Sequence, residues 1–349
     1  MAKYLVIRLS AIGDVAMTVP VLYSAAFSNP DDEFTILTQA FLIPLFRNAP
    51  KNLQAIGINT KTTEKTLSGL LKFGWAFSYY PYDAVLDLHD VLRSKILRSF
   101  FFLKGKPIYV VDKARKARKA LVRQKHKNLV SLRPVMQRYA DVFMQAGLKY
   151  EDKFTSLFWN EEIDTSFFTL LGGKECTCWI GIAPFAKHRG KIYGLDQMEE
   201  IVHLLSEREN IWIFLLGGKG DEAKKLQEWA EKYNHVECVA GRFSLDQELI
   251  LMSRLKLLIC MDSANMHFAS LVNTPVLSIW GATHPYAGFY GYRQSMDNAI
   301  QLALPCRPCS VFGDKPCLRG DWACMKGITP QMILDKVNQI LDVNEKSSF

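Results

Sequence analysis

The quartet Asp262-Ser263-Ala264-Asn265 separates an apolar run, Leu257 to Met261, from a segment with Phe268, Ala269, Leu271 and Val272 at helical spacing. A β-branched run, Val276 to Trp280, follows. That order reads strand, tight turn, helix, strand. The turn of such a unit lies at the carboxyl edge of a parallel sheet, and a helix starting near Ala264 aims its unpaired N–H groups and positive dipole end at whatever binds there. A phosphate fits that description, and so does ordinary capping of the helix by Asp262 or Ser263. At Gly13-Asp14 a second strand-to-helix turn carries a carboxylate, either a base for an incoming hydroxyl or another helix cap.

Three further stretches carry charge or ligand atoms. Pro184 to Gly194 supplies Lys187, His188, Arg189 and Lys191 after a strand end, cations suited to a diphosphate or simply a solvated basic loop. Gly217-Gly218-Lys219-Gly220 lets a ligand approach the backbone, and Asp221 or Glu222 just beyond can hold a ribose hydroxyl pair or begin the next helix. Cys306, Cys309, Cys317 and Cys324 lie within nineteen residues rich in Pro, Gly and charge. Four thiolates there can bind zinc as a structural clip, although the spacing matches no standard finger, and free thiols are the alternative.

The elements that position these groups alternate along the chain. A strand at 3–9 and a helix using Val15, Val19, Leu22 and Ala26 open it; strands follow at 34–38, 54–58 and 83–88, then a helix at 133–147. Residues 148–175 read as an inter-domain passage. The alternation restarts with strands at 178–184, 211–216 and 236–240 and helices at 195–208, 221–233 and 245–254, and a helix at 330–342 closes the chain. Two Rossmann-like α/β domains result, 1–160 and 175–328, with a C-terminal helix and tail at 329–349, which suits 349 residues. The first turn holds only Gly13 where a dinucleotide fingerprint needs three glycines, which disfavours an NAD-linked oxidoreductase.

No apolar run approaches the roughly 18 residues needed to span a bilayer, and Arg8 interrupts the N-terminal run, so a cytoplasmic protein with reduced thiols is expected. The net charge of +8 is local: Lys104 to Lys127 holds ten Lys/Arg against Asp112 alone. Without interleaved aromatics the run, including Arg115, Lys116, Arg118, Lys119 and Arg123, suits phosphorylated lipid at a membrane face better than nucleic acid. Trp75, Phe77, Tyr79, Tyr80 and Tyr82, with Phe100 to Phe102, either add interfacial contact or fill the core, and core is the expectation for at least half of them.

Taken together, RLSAIGDVAMTVPVL at 8–22, the Lys191 region, GGKGDE at 217–222, AGRFSLDQ at 240–247 and MDSANMHFASLVNTPVLSIWGATHP at 261–285 resemble glycosyltransferase family 9, the heptosyltransferases that build the inner core of lipopolysaccharide. The resemblance spans nearly the whole chain. It implies a GT-B fold, two doubly wound Rossmann-like domains facing across a cleft, and inverting transfer of a heptose from a nucleotide sugar such as ADP-heptose to a hydroxyl of a lipid A–Kdo acceptor, with no catalytic metal. By position it implies Asp14 as general base, Lys191 as donor-phosphate ligand, and Ser263, Ala264 and Asn265 with His267 as diphosphate cradle. Asp262 would meet sugar hydroxyls, Asp221 or Glu222 the ribose, and Phe243 the nucleobase. An enzyme working on that acceptor is cytoplasmic and peripheral on the inner membrane. The chain departs from the family at Ala264, where Gly is usual, and at Lys191-Ile192-Tyr193-Gly194, where Lys-x-Trp-Pro is usual. Both departures bear on donor identity. The other readings are a transferase using another nucleotide sugar on another envelope glycan, and a non-catalytic nucleotide-sugar binding protein.

Overall fold

The computed structural model describes residues 1–161, Ser166 and 178–346, so the part of the expected passage at 148–175 that runs from 162 lies almost wholly outside the described residues. The described chain divides into two units, each an α/β layer built on a parallel sheet.

The first unit comprises Met1–Ala114 and Arg133–Glu161. Its sheet order is β3-β2-β1-β4-β5, from β1 (Lys3–Ile7), β2 (Glu33–Gln39), β3 (Leu53–Ile58), β4 (Ala84–Asp87) and β5 (Ile108–Val110). Leu5, Val6 and Ile7 of the central strand are fully buried, as a strand covered on both faces requires. In chain order the helices are α1 (Ile12–Ala16), α2 (Thr18–Ser28), α3 (Leu67–Phe77), α4 (Leu92–Phe102) and, after the sheet, α6 (Val135–Gln145). The single opening helix expected from the sequence is two. Pro20 has no N–H to give the carbonyl of Ala16, four residues back, and that is where α1 stops.

The second unit comprises Arg115–Leu132 and the residues from 162 onward. Its sheet order is β11-β10-β9-β6-β7-β8, from β6 (Cys178–Ala183), β7 (Ile211–Leu215), β8 (Val236–Cys238), β9 (Leu257–Met261), β10 (Val276–Ile279) and β11 (Ala299–Ile300). Its helices are α5 (Arg115–Leu121), α7 (Leu195–Ser206), α8 (Asp221–Lys232), α9 (Leu245–Arg254), α10 (Ala264–Leu271), α11 (Ala323–Lys326) and α12 (Pro330–Lys346). Two boundaries differ from the expected domains. The basic stretch 115–132 packs with the second unit, where the Arg118 guanidinium lies 4.6 Å from the centre of the Phe289 ring and the Leu132 N–H donates to the carbonyl of Tyr286. The terminal helix is not a separate tail, because Ile333, Leu334, Val337 and Ile340 join the core beneath β6, β7 and β9.

Each sheet reverses its strand order beside its first strand, between β1 and β4 in one unit and between β6 and β9 in the other. Loops leaving such a pair diverge and open a crevice at the carboxyl edge.

Candidate functional site

Asp262 and Lys191 leave the two strands that flank the reversal in the second unit. Asp262 follows β9 directly and is buried, while Lys191 ends a short 3-10 turn, Arg189–Lys191, in the loop after β6. Lys191 Nζ stands 2.9 Å from Asp262 Oδ2. The loop is held by close backbone packing: the Gly190 N–H donates to the carbonyl of Gly313, and a Cβ on Gly190 would fall 2.7 Å from that oxygen. The Lys191 stem lies over Gly313, whose φ of +75° only glycine adopts readily. Of the four cations expected to face a diphosphate, Lys191 reaches this edge. Arg189 instead donates to the carbonyl of Ile192 and lies over the Trp322 ring.

Ser263 occupies the N-cap position of α10, yet its hydroxyl makes no capping bond. Its Oγ is buried with no hydrogen-bond partner, an arrangement that normally costs 1–3 kcal/mol on the order of magnitude known for such groups. The first N–H groups of α10 therefore stay open toward the edge where Lys191 stands. Ala264 and Asn265 form the first turn, half-exposed, and His267 is buried one turn further in. Tyr193, where the family carries Trp, is buried and donates its hydroxyl to the carbonyl of Ile328, anchoring the segment to the core.

The neighbouring loops place the remaining expected donor residues. Glu222 Oε2 accepts the N–H of Gly218 at 2.7 Å, so that carboxylate closes the glycine-rich turn, whereas the Asp221 side chain is fully exposed. Phe243 is half-buried beneath the Arg242 guanidinium. Lys219 packs on Gly241, joining the two loops.

In the first unit Asp14 lies in α1, at the crevice between β1 and β4. It is more than a cap: Oδ2 accepts the Ala11 N–H at 3.3 Å and pairs with Arg8 at 2.6 Å. Arg8 is buried, donates to the carbonyl of Leu88 and lies over the Tyr139 ring. Behind them His89, after β4, accepts the Leu9 N–H on Nδ1, which puts its proton on Nε2, facing Ser10 Oγ at 3.4 Å. Burial, with the charge of Arg8, lowers the His89 pKa to about 3, so the ring is neutral. Asp87, fully buried, accepts the N–H groups of His89 and Asp90 and pairs with Arg98 at 2.7 Å. Arg8 was not among the expected functional residues; its signal was a cation terminating an otherwise apolar strand, while Asp87, His89 and Asp90 read as polar groups at the end of the strand at 83–88.

Arg115, Lys116, Lys119 and Arg123 are exposed on and after α5 of the second unit, and Arg118 is spent partly on Phe289. The four cysteines, all free, surround one small cavity with Arg307 and Trp322. Burial pushes the Cys309 and Cys324 thiols up; at Cys317 burial acts the same way but is outweighed by backbone N–H groups of Trp322, Arg319 and Gly320, which hold it below the ordinary value. The Cys309 thiol donates to the carbonyl of Ala282, and among the described residues no three Cys, His, Asp or Glu side chains stand together as metal ligands. The expected zinc clip is thus not closed in this geometry. Arg307, buried, organises the same loop through the carbonyls of Gly281, Leu302 and Thr283.

Lipopolysaccharide heptosyltransferase 3 of Escherichia coli strain K12 is 24% identical over 306 residues, covering 83% of this chain and 84% of its own. The solved glycosyl transferase family 9 protein from Veillonella parvula DSM 2008 superposes with a TM-score of 0.77 at 16% identity over 97% of each chain. E. coli ADP-heptose lps heptosyltransferase II gives 0.70 at 19% identity, over 98% of this chain and 99% of its own. These likenesses give the fold as GT-B, two Rossmann-like units. The model of glycosyltransferase family 9 (heptosyltransferase) matches residues 70–316, from α3 of the first unit to the cysteine loop of the second, and the chain is a glycosyltransferase that belongs to that family.

Proposed function

We propose that this enzyme moves a heptose from ADP-heptose to a hydroxyl of the lipopolysaccharide inner core, with inversion and without a catalytic metal, at the inner face of the membrane. The donor assignment draws on the relatives, among them the E. coli protein whose name includes ADP-heptose. The observation that carries it is the uncapped N-terminus of α10 beside Lys191.

The donor diphosphate is met by the open N–H groups of α10, by the Ser263 hydroxyl and by the Lys191 ammonium. As the glycosidic bond breaks, negative charge builds on the leaving diphosphate, and donors already aimed there stabilise the transition state more than the ground state. Lys191 then exchanges part of its contact with Asp262 for the phosphate, and the Asp262 carboxylate accepts hydrogen bonds from sugar hydroxyls. Asp221 and Phe243 serve the nucleoside, the first at the ribose and the second at the base.

Asp14 takes the proton of the acceptor hydroxyl. Both of its contacts fall on Oδ2, which leaves Oδ1 for the hydroxyl. The Arg8 guanidinium fixes the carboxylate in place, and the neutral His89 ring adds no second positive charge beside it. Attack opposite the leaving diphosphate gives inversion.

The test is calorimetric titration with ADP-heptose and with UDP-sugars, followed by transfer to a lipid A–Kdo acceptor. Tight binding of ADP-heptose with product of inverted configuration supports the reading. Binding without transfer leaves a nucleotide-sugar binding protein, and preference for a UDP-sugar gives a transferase of another envelope glycan.

A further inference from the structure

The aromatic-rich stretch 73–82 divides into two populations. Phe77 and Tyr82 are buried, against Phe101 of α4. Trp75 and Tyr79 are 57% and 64% exposed. The division follows the helix: α3 packs on α4 through Leu70, Gly74 and Phe77, so closely that a Cβ on Gly74 would fall 2.7 Å from the Phe100 ring. Leu67, Leu71 and Trp75 recur every four residues on another face, which continues to Tyr79 just past the helix end. All four are exposed, Leu67 by 61%.

A second apolar group adjoins this stripe. Phe102 and Leu103, at the end of α4, are 68% and 80% exposed. Lys104 joins the two groups, its ammonium donating to the carbonyl of Ser78 and lying 3.7 Å from the centre of the Tyr79 ring. Six large apolar side chains on one surface of a soluble-type α/β unit exceed the scattered exposure that folding leaves behind.

Charge identifies what covers them. Neither α3 nor α4 contains an acidic residue, while Lys72 and Arg93 lie on them and Lys104 follows; Lys95, Arg98 and Lys106 are paired with Asp90, Asp87 and Asp83. The acids near them in sequence are occupied, Asp87 and Asp90 by Arg98, Glu64 by the Asn59 N–H and the Thr63 hydroxyl, and Asp83 by the Lys3 N–H. Trp and Tyr with an apolar body and a polar tip, with the Lys104 ammonium beside Tyr79, match the boundary between acyl chains and anionic headgroups.

We infer that the α3–α4 surface of the first unit is a membrane-docking face that inserts Leu71, Trp75, Tyr79 and Leu103 among anionic phospholipids. It is distinct from the basic helix α5, which belongs to the second unit. The choice of a bilayer as occupant rests also on the proposed reaction, whose acceptor carries lipid; binding itself is read without turnover.

The experiment uses the full chain with vesicles of phosphatidylglycerol in phosphatidylcholine, and of phosphatidylcholine alone. Wild type is expected to co-sediment with the anionic vesicles and to be released at least tenfold by Leu71→Asp/Trp75→Asp, two exposed positions whose folding is checked by circular dichroism. Trp75→Phe should still bind but lose most of the fluorescence quenching by brominated phosphatidylglycerol. On a water-soluble, deacylated acceptor the double variant should turn over like wild type, and on vesicle-borne acceptor it should lose at least tenfold. Absence of wild-type binding, or equal binding by the double variant, overturns the docking face. A dimer that the double variant dissociates, with vesicle binding unchanged, also overturns it in favour of self-association. Loss of wild-type turnover on the soluble acceptor would instead count against the proposed reaction and leave vesicle binding to be judged by itself.

Discussion

Lys191 Nζ and Asp262 Oδ2 form a largely buried ion pair across the strand-order reversal of the second unit, joining the loop after β6 to the loop after β9. A pair in this setting binds a ligand only by reorganising, so its two members separate in their effects. Lys191→Ala should weaken ADP-heptose binding by about tenfold to a hundredfold, the loss of one charge-assisted contact. It should also destabilise the fold by about 3 kcal/mol, because Asp262 is left buried and unpaired. Calorimetry and denaturant titration read the two effects, and a Lys191→Ala protein with unchanged donor affinity removes Lys191 from the donor site.

Ser263→Ala should behave in the opposite sense. The hydroxyl is buried without a partner, so its removal is neutral or stabilising in the free protein. Donor affinity should fall about tenfold, the worth of one hydrogen bond to a charged group. A variant that loses stability while keeping affinity would show that the hydroxyl serves the fold.

Asp14→Asn should lower kcat by about 10²–10⁴-fold, the range for a positioned general base, with donor affinity unchanged. Rapid-quench measurement of the first turnover checks this, and near-normal transfer would exclude the carboxylate from the chemistry.

His89 sets a pH dependence. Its pKa falls from 6.5 to about 3 on folding, chiefly through burial, so between those values the unfolded chain binds a proton that the folded chain refuses. Its contribution is complete above about pH 6.5 and is lost as pH falls toward 3. Thermal unfolding from pH 4 to 7 should therefore show a slope that His89→Gln reduces, and an identical slope in the variant would place the proton uptake elsewhere.

Glu248 has the opposite sign. Burial raises it to about 7, so the folded chain holds a proton that the unfolded chain releases, and stability falls as pH rises from about 4.5 through 7. Glu248→Gln should raise stability at pH 8 by about 3 kcal/mol and leave it unchanged at pH 4. Equal effects at both pH values would rule out a titrating origin.

The alternation of apolar runs exposed most of this architecture, because strands covered on both faces are continuous apolar runs and each ends in a polar turn. Asp14, Lys191, Asp262 and Ser263 were legible as residues at strand ends. Their partners were not. The Arg8–Asp14 pair needs the fold of a loop, and the Leu9 contact with His89 joins residues 80 apart in the chain. Glu222 looked free for a ribose, but four residues of separation let it reach the N–H of Gly218 instead. The basic run 113–127 was legible as charge and illegible as allegiance, since nothing in its composition says that 115–132 packs beside Phe289 and Tyr286.

That allegiance governs how the gene can be cut. The polypeptide passes from one body to the other near residues 114, 132 and 161. No single break yields two self-sufficient halves: a fragment ending at 161 carries a stretch whose packing surface has been deleted, and the complementary fragment lacks it. Pieces produced that way should fail to fold alone, while an N-terminal piece with 115–132 replaced by a short Gly/Ser bridge should succeed.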